Sequence, residues 1–393
     1  MHAKEIRNGI KVLASVHWER RLFDALIPLP DGTSYNAYLV EGSEATALID
    51  STDPELRDEL IGELDPGKPI DYVVSHHGEQ DHSGVIPEIL ERYPGATVLC
   101  SSKARELLMT HLHLPEDRIR VVDDGESVSL GDKTLTFVYT PWVHWPETMV
   151  TYVPEAKVLF SCDFFGSHVA TTDTYVVDRG RVYEAAKRYY AEIMMPFRRV
   201  IQNNLDKVDG LDIDLIAPSH GPIYDDPGFI VDAYRDWVAP SMKNEVVLPY
   251  VSMHGSTYRM AMHLVDALSR RGVTVHAFDL AVTDIGKLAI ALVDAATLIV
   301  GTPTVHVGPH PAVYQAAHLA NLLRPKLRHA AIIGSYGWNS RAVEQISSLI
   351  PNLNVTVLGT VLQKGMPTDD TFAELDRLAD AVAEAHRAEA LVA

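Results

Sequence analysis

The chain has 393 residues, a length typical of two or three domains, and its hydrophobic content of 47% excludes a disordered or fibrous protein. Its 34 basic and 53 acidic residues give a net charge of −19, which disfavours binding to nucleic acid or to an anionic membrane surface. Two cysteines, Cys100 and Cys162, are too few for a disulfide framework, a zinc ribbon or an iron–sulfur centre. Any bound metal must therefore use histidines and carboxylates.

The N-terminal segment lacks the uninterrupted apolar stretch of a signal peptide, and the most apolar window, Leu288 to Val300, is interrupted by Asp294. We therefore expect a cytoplasmic protein without a membrane-spanning segment. The first 240 residues begin with strands and continue with strand-helix units, which favours a layered α/β sandwich. In chain order we predict strands at Ser34–Val40, Ala45–Ile49 and Val73–Ser75, a helix at Val85–Tyr93, a hairpin of Met149–Val153 with Lys157–Ser161, and a helical segment at Val182–Leu205 that Pro196 splits.

From about residue 244 the pattern changes to regular strand-loop-helix repeats, which predict a doubly wound parallel sheet. We therefore divide the chain into domains at residues 1–243 and 244–393. The predicted strands are Val246–Val251, Thr297–Val300 and Ala330–Ile333. The first strand is followed by a helix that ends at Arg271, the second by a helix that begins at Pro311 and the third by a helix that begins at Arg341. A last helix covers Asp370–Ala388.

The most specific local pattern follows the strand Val73–Ser75. Two histidines and two carboxylates occupy six consecutive positions there, an arrangement of titratable groups that a bound cation would stabilise. Three further candidate ligands stand alone, in loops or at strand ends farther along the chain. The candidate metal ligands are His77, Glu79, Asp81, His82, His144, Asp163 and His220.

These seven residues divide into two sites, each with two histidines and one carboxylate, if Asp163 is shared between them. Ligation by two histidines and one carboxylate with open positions favours non-haem iron, whereas zinc hydrolases favour more imidazole or thiolate. His168 follows Asp163 by five residues, where an imidazole can give a proton or a hydrogen bond to a metal-bound ligand. His168 is therefore the candidate catalytic residue, and we expect His76 and the other histidines to have structural roles.

Three loops after the predicted strands of the C-terminal half form a second group. The first is rich in hydroxyl groups and begins a helix, which suits a phosphate, but it lacks the lysine of a nucleotide-binding P-loop and the glycine pattern of a dinucleotide site. A flavin mononucleotide (FMN) remains, with aromatic side chains beside its ring. The candidate cofactor-binding residues are Ser252, Met253, His254, Gly255, Ser256, Thr257, Pro303, Thr304, Val305, His306, Ser335, Tyr336, Gly337, Trp338 and Asn339.

The loop at residues 77–82 resembles the His-x-His-x-Asp-His motif of the metallo-β-lactamase superfamily, but Glu79 stands where the hydrolases have their second histidine. This exchange is a mark of flavodiiron proteins. The resemblance implies that His77, Glu79 and His144 bind one iron. It implies that the other iron is bound by Asp81, His82 and His220, and that Asp163 bridges the pair.

The three C-terminal loops are similar to the FMN-binding loops of flavodoxins, in the versions found in flavodiiron proteins. Val305 and His306 depart from relatives that have an amide-bearing residue there. The resemblance covers nearly the whole chain. It implies a metallo-β-lactamase-like αββα sandwich, followed by a flavodoxin-like doubly wound parallel sheet.

The implied activity is a flavodiiron oxidoreductase, in which electrons pass through FMN to a non-haem diiron centre that reduces dioxygen to water, nitric oxide to nitrous oxide, or both. The donor is expected to be a separate rubredoxin-type protein or a reduced deazaflavin coenzyme, since no cysteine-rich domain is present. The resemblance also implies a head-to-tail homodimer or a dimer of dimers. Two alternatives remain open: a zinc-dependent hydrolase with an appended flavodoxin domain, and an electron carrier without catalytic metal.

Overall fold

The computed structural model describes residues 3–23 and 25–391. The chain forms two compact units, one comprising residues 1–190 and 197–238 and the other residues 191–196 and 239–393. The boundary between residues 243 and 244 stays a prediction. None of the helices in the described ranges combines the length and apolar character needed to cross a membrane.

Two β-sheets form the centre of the first unit. One has seven strands in the order β1-β2-β5-β6-β7-β8-β9, the other has five in the order β10-β11-β12-β13-β14, and β3 pairs with β4. The strands are β1 (Lys4–Arg7), β2 (Ile10–His17), β3 (Leu22–Phe23), β4 (Ile27–Pro28), β5 (Thr33–Glu41), β6 (Thr46–Ile49), β7 (Tyr72–Ser75), β8 (Thr97–Cys100), β9 (Ile119–Val121), β10 (Ser127–Ser129), β11 (Thr134–Tyr139), β12 (Met149–Val153), β13 (Val158–Cys162) and β14 (Leu215–Pro218).

The apolar faces of these two sheets pack against each other. Tyr38 on β5 and Phe160 on β13 are both fully buried, and their ring centroids lie 5.0 Å apart across the sandwich. The opposite face of the larger sheet is covered by helices, as Leu48 and Val73 share a buried cluster with helical residues such as Ile89. The helices of this unit are α1 (Arg57–Glu63), α2 (Gln80–Ser83), α3 (Ile86–Arg92), α4 (Ser102–His111), α5 (Arg179–Tyr189), α6 (Arg198–Val208) and α7 (Pro227–Val238).

The predicted elements of this half occur with small shifts of their ends. The predicted helix at residues 85–93 is α3, which buries Ile86, Ile89 and Leu90 at helical spacing. The long helical segment is split near Pro196, as predicted. It becomes α5, a π-helical turn (Tyr190–Met194), a 3₁₀ turn (Met195–Phe197) and α6. Proline removes a backbone donor, which explains why α5 does not continue into α6.

The second unit contains a parallel sheet with the strand order β16-β15-β17-β19-β20, which is the flavodoxin-like 2-1-3-4-5 order. Its central strands are almost wholly buried, as expected when helices cover both faces. The elements are β15 (Lys243–Tyr250), α8 (Ser256–Ser269), β16 (Thr274–Asp279), α9 (Ile285–Leu292), β17 (Ala295–Val305), β18 (Gly308–Pro309), α10 (Pro311–Leu323), β19 (His329–Tyr336), α11 (Ala342–Leu349), β20 (Thr356–Lys364) and α12 (Asp369–Ala388).

The second predicted cofactor loop differs from a simple loop. Strand β17 extends to Val305, and its end pairs antiparallel with β18, so Thr304 lies opposite Pro309. His306 and Val307 form the turn with φ of +46° and +73°. Positive φ at both central residues is the geometry that lets a two-residue turn join twisted strands. The sequence has no glycine at either turn position, so its local pattern gives no signal for the hairpin.

Candidate functional site

Each of the seven candidate metal ligands lies within seven residues after a strand of the first unit, and His144 does so in the loop between β11 and β12. His77 comes two residues after β7, Glu79 precedes α2, and Asp81 and His82 lie within α2. Asp163 directly follows β13, and His220 follows β14, its parallel neighbour. The carboxyl ends of adjacent parallel strands meet at the same sheet edge. The fold therefore brings residues from distant parts of the chain to one place.

One group of ligands, which we call the His77 group, consists of His77, Glu79 and His144. Glu79 Oε2 lies 3.0 Å from His77 Nε2 and 3.1 Å from His144 Nε2. Asp163 Oδ2 lies 3.6 Å from each of the same two nitrogens. Atoms bound at neighbouring positions of an ion with bonds of about 2.1 Å are separated by about 3 Å. The spacing therefore fits one metal ion.

The second group, which we call the His220 group, consists of Asp81, His82 and His220. Asp163 Oδ1 lies 3.0 Å from His82 Nε2 and 3.2 Å from His220 Nε2. Asp81 Oδ1 lies 3.4 Å from His82 Nε2, and Asp81 Oδ2 lies 3.4 Å from His220 Nε2. Asp163 thus presents one oxygen to each group. The arrangement matches two metal positions that share one carboxylate.

The buried polar atoms of this region show whether the residues fit a metal. Both carboxylate oxygens of Asp81 and of Asp163, together with Nε2 of His82 and of His220, are buried and have no hydrogen-bond partner. Leaving charged or polar atoms unpaired in a protein interior is strongly unfavourable. A pair of cations between these atoms would satisfy them all. The donor set of imidazoles and carboxylates therefore fits two metal ions.

Two imidazole rings are oriented by partners on their far sides. His77 Nδ1 lies 2.7 Å from Glu147 Oε1, and His220 Nδ1 lies 2.9 Å from the Ser34 carbonyl oxygen. Glu147 Oε1 also accepts the Gly78 backbone N–H, and a carbonyl only accepts. Each Nδ1 is therefore the donor, so Nε2 is the ring nitrogen that faces the site in both residues and can bind a metal. Glu147 and Ser34 were not among the predicted site residues.

The electrostatics of the metal-free chain indicate the same need for positive charge. Burial lowers the pKa of His77, but hydrogen bonds to Glu147 and Glu79 outweigh burial and raise that pKa well above its ordinary value. Burial raises the pKa of Asp163, yet the rings of His82 and His220 hold it well below the usual range. For Asp81, burial dominates and raises the pKa to about 6. The raised pKa of His77 and the lowered pKa of Asp163 both show that positive charge stabilises this group of buried carboxylates.

His168 lies beside the His220 group. Its Nδ1 is 2.8 Å from Thr33 Oγ1, and its ring centroid is 4.4 Å from that of His220. His168 Nε2 is buried without a hydrogen-bond partner. Burial, reinforced by the charge of His220, lowers the pKa of His168 well below its ordinary value, so the ring is neutral. The structure places Tyr189 4.5 Å from the same ring, a neighbour that the sequence did not indicate.

The histidine directly before the first ligand has a different environment. His76 Nδ1 lies 2.7 Å from Asp50 Oδ2, and His76 Nε2 lies 2.7 Å from Thr151 Oγ1. Both ring nitrogens are therefore in hydrogen bonds, and one of these bonds joins the two sheets of the sandwich through β12. These contacts give His76 a structural role.

In the second unit, the candidate cofactor residues lie at the carboxyl ends of β15, β17 and β19. The first two of these strands flank the point where the strand order reverses, which is where doubly wound sheets bind their ligands. Thr257 Oγ1 lies 3.1 Å from Ser335 Oγ, so the first and third loops meet. Thr304 donates a hydrogen bond to Ser340 at 2.8 Å, next to the third loop.

The N-terminus of α8 adjoins the hydroxyl-rich first loop. Gly255 precedes the helix with φ of +88°, and its N–H donates to Ser252 Oγ. Unpaired N–H groups at a helix N-terminus favour a phosphate. Met253 and Trp338 are exposed, with 87% of the Trp338 surface accessible. This exposure leaves the aromatic side chain free to border a flat ring.

Comparison with known proteins places both halves in known families. A family described as "ODP family beta lactamase" matches residues 33–221, and the flavodoxin family matches residues 248–377. A nitric oxide reductase of Moorella thermoacetica is 39% identical, with 86% of each chain covered. A coenzyme F420H2 oxidase of Methanothermobacter marburgensis is 33% identical, with 95% of each chain covered.

Solved structures agree with these sequence relationships. The rubredoxin oxygen:oxidoreductase of Desulfovibrio gigas superimposes with a TM-score of 0.95 and 30% identity, covering 99% of this chain and 100% of that one. The flavodiiron protein of Giardia intestinalis gives a TM-score of 0.89 and 27% identity, with 98% of both chains covered. The sandwich and the doubly wound sheet predicted from the sequence are confirmed. The chain belongs to the flavodiiron family of oxidoreductases.

Proposed function

We propose that this chain passes electrons from a separate donor through FMN to a non-haem diiron centre, which reduces dioxygen to water, nitric oxide to nitrous oxide, or both. The observation that carries the proposal is the division of seven ligands, five of them buried, into two groups that share Asp163. The relatives are named for reactions with nitric oxide, with oxygen and with F420H2. Their names support the reaction class without choosing the gas.

We assign the His77 group to one iron, the His220 group to the other, and Asp163 to both. When bound, the two ferrous ions supply electrons to a diatomic gas through their open positions. The chain's own part is to hold the nitrogen lone pairs and carboxylate oxygens in place before the metal arrives. The buried rings of Phe164 and Phe165 stack 4.0 Å apart behind the bridging residue and keep that side dry.

We assign FMN to the three loops at the carboxyl ends of β15, β17 and β19. Ser252, Ser256 and Thr257 supply hydroxyl groups at the N-terminus of α8, where a phosphate is favoured. Tyr336 ends β19 and Trp338 lies exposed two residues later, so either aromatic ring is available to stack on an isoalloxazine ring. Bound FMN would supply the electron acceptor for the donor, which we expect to be a rubredoxin-type protein or a reduced deazaflavin coenzyme. A cytoplasmic location remains a prediction from the sequence.

Metal and flavin analysis tests the proposal directly. We expect the purified protein to contain about two irons and one FMN per chain and, once reduced without oxygen, to be reoxidised rapidly by dioxygen, nitric oxide or both. The faster gas identifies the preferred substrate. Zinc in place of iron, with no reaction toward either gas, would favour the hydrolase alternative. Family membership and the carboxylate of Glu79 between two imidazoles already weigh against that alternative.

We propose that the neutral His168 ring gives a hydrogen bond to a ligand at the metal centre, since its Nε2 is buried, unpaired and beside His220. The His168→Gln variant is expected to keep both irons and to lose about 10²-fold in turnover, the lower end of the loss seen when one positioned hydrogen-bond donor is removed. Iron content and stopped-flow reoxidation check this expectation. Loss of iron together with activity would give His168 a structural role.

We also propose a head-to-tail homodimer, alone or as a dimer of dimers, in which one subunit's FMN serves the partner's iron pair. The proposal follows the family resemblance. Light scattering after size-exclusion chromatography is expected to give twice or four times the chain mass of 43.4 kDa. A monomer with full gas-reductase activity would overturn it.

A further inference from the structure

One histidine in each metal-binding group, His77 or His220, is oriented through its Nδ1, and the partners of these two rings differ. His77 Nδ1 donates to a carboxylate, Glu147 Oε1, at 2.7 Å, whereas His220 Nδ1 donates to a neutral carbonyl, that of Ser34, at 2.9 Å. A carboxylate partner makes an imidazole a more basic ligand than a carbonyl partner does. The two iron positions would therefore differ in the basicity of their imidazole ligands.

Glu147 is firmly held in its position. Its side chain is fully buried, its Oε1 accepts hydrogen bonds from His77 and from the Gly78 N–H at 3.0 Å, and its backbone carbonyl accepts the Ser101 hydroxyl at 2.6 Å. Ser101 also caps the N-terminus of α4. The carboxylate thus fixes both the His77 ring and the backbone that leads to Glu79. Its second oxygen has no hydrogen-bond partner.

We propose that Glu147 is a positioning residue that fixes the tautomer of His77 and strengthens it as a metal ligand. The metal position at the His77 group should therefore bind a divalent or more highly charged ion more tightly than it would without the Glu147 carboxylate. The inference rests on the proposed function for the identity of the metals. Glu147 itself is not a metal ligand, and the sequence motif that contains the ligands does not include it.

Titration of metal-free, full-length protein with Co²⁺ tests the inference without any gas chemistry. We expect the wild type to bind two ions. The Glu147→Gln variant keeps the side-chain volume but loses the charge, so one of the two ions should bind about 10- to 100-fold more weakly and the other as before. Glu147→Ala should lose at least as much, because His77 Nδ1 and the Gly78 N–H are then left unpaired. Glu126→Gln, which changes a contact with Arg120, is the matched control.

A redox titration gives an independent result on iron-loaded protein. Removing the charge of Glu147 should favour the ferrous over the ferric state at one of the two irons, so one midpoint potential should rise while the other stays near the wild-type value. A tenfold change in the equilibrium constant between the ferrous and ferric states corresponds to a shift of 59 mV in the midpoint potential. Two Co²⁺ affinities and two potentials unchanged in Glu147→Gln would overturn the inference. A wild type that binds two Co²⁺ but fails to react with either gas would contradict the proposed function and leave the inference standing.

Discussion

The Asp163→Ala variant is expected to lose both metal ions and to retain FMN. Within the part of the chain that the structure describes, Asp163 is the residue that faces both groups, with Oδ1 3.0 Å from His82 Nε2 and Oδ2 3.6 Å from His77 Nε2. Without it, each group keeps two imidazoles and one carboxylate but loses the shared charge that holds the two positions together. Replacing residues that only support a ligand already lowers metal affinity 10- to 100-fold. We expect gas turnover to fall by about 10³-fold or more.

Iron and flavin content measured on the same sample, with stopped-flow reoxidation, checks this result. Asp163→Asn keeps the volume and one oxygen, so it should retain at most one ion. Asp173→Ala removes an exposed carboxylate in the same unit and should behave as the wild type. Retention of two irons by Asp163→Ala would contradict its assignment as a bridge. Loss of FMN together with the irons would contradict the separation of the two sites.

The metal site could be predicted from sequence because its ligands are side chains grouped by type. Four of the seven lie within six positions, and the structure brings the other three to them at the ends of β13 and β14 and in the loop before β12. The partners behind the ligands were harder to find. Ser34 acts through its backbone carbonyl, which is independent of residue type. Glu147 is a single acidic residue outside any ligand motif, and only its burial and its contact with His77 in the folded chain indicate its role.

Fold prediction succeeded where periodicity and turn residues agreed, as in α3 and in the β12–β13 hairpin. It was less complete where tertiary pairing decides the conformation. The hairpin between β17 and β18 turns at His306 and Val307, and the second of these is a β-branched residue, a type that rarely adopts positive φ. The same hairpin contains Thr304 and Val305, so the second cofactor segment is held by strand pairing as well as by its loop.

The second large effect is expected from Gly334→Val, which should lose FMN and keep both irons. Gly334 lies in β19 opposite Thr302 of β17 and directly before Ser335. A Cβ at this position would clash with the Thr302 carbonyl oxygen and would lie 3.3 Å from Leu362 Cδ2. The first contact is with backbone, so relief requires β17 and β19 to separate at the ends that carry two of the three cofactor segments.

Overpacking of this kind typically destabilises a protein by about 1–3 kcal/mol, which is a large part of the stability of one domain. Gly334→Ala introduces the same Cβ with less bulk and should weaken FMN binding less than valine does. Gly95→Val is the control, because a Cβ at Gly95 meets no atom within 4 Å. Absorbance of FMN and iron analysis on one preparation separate the outcomes. Full FMN occupancy in Gly334→Val would contradict the assignment of these loops. Loss of FMN alone in Gly334→Val, together with loss of iron alone in Asp163→Ala, would establish two independent cofactor sites.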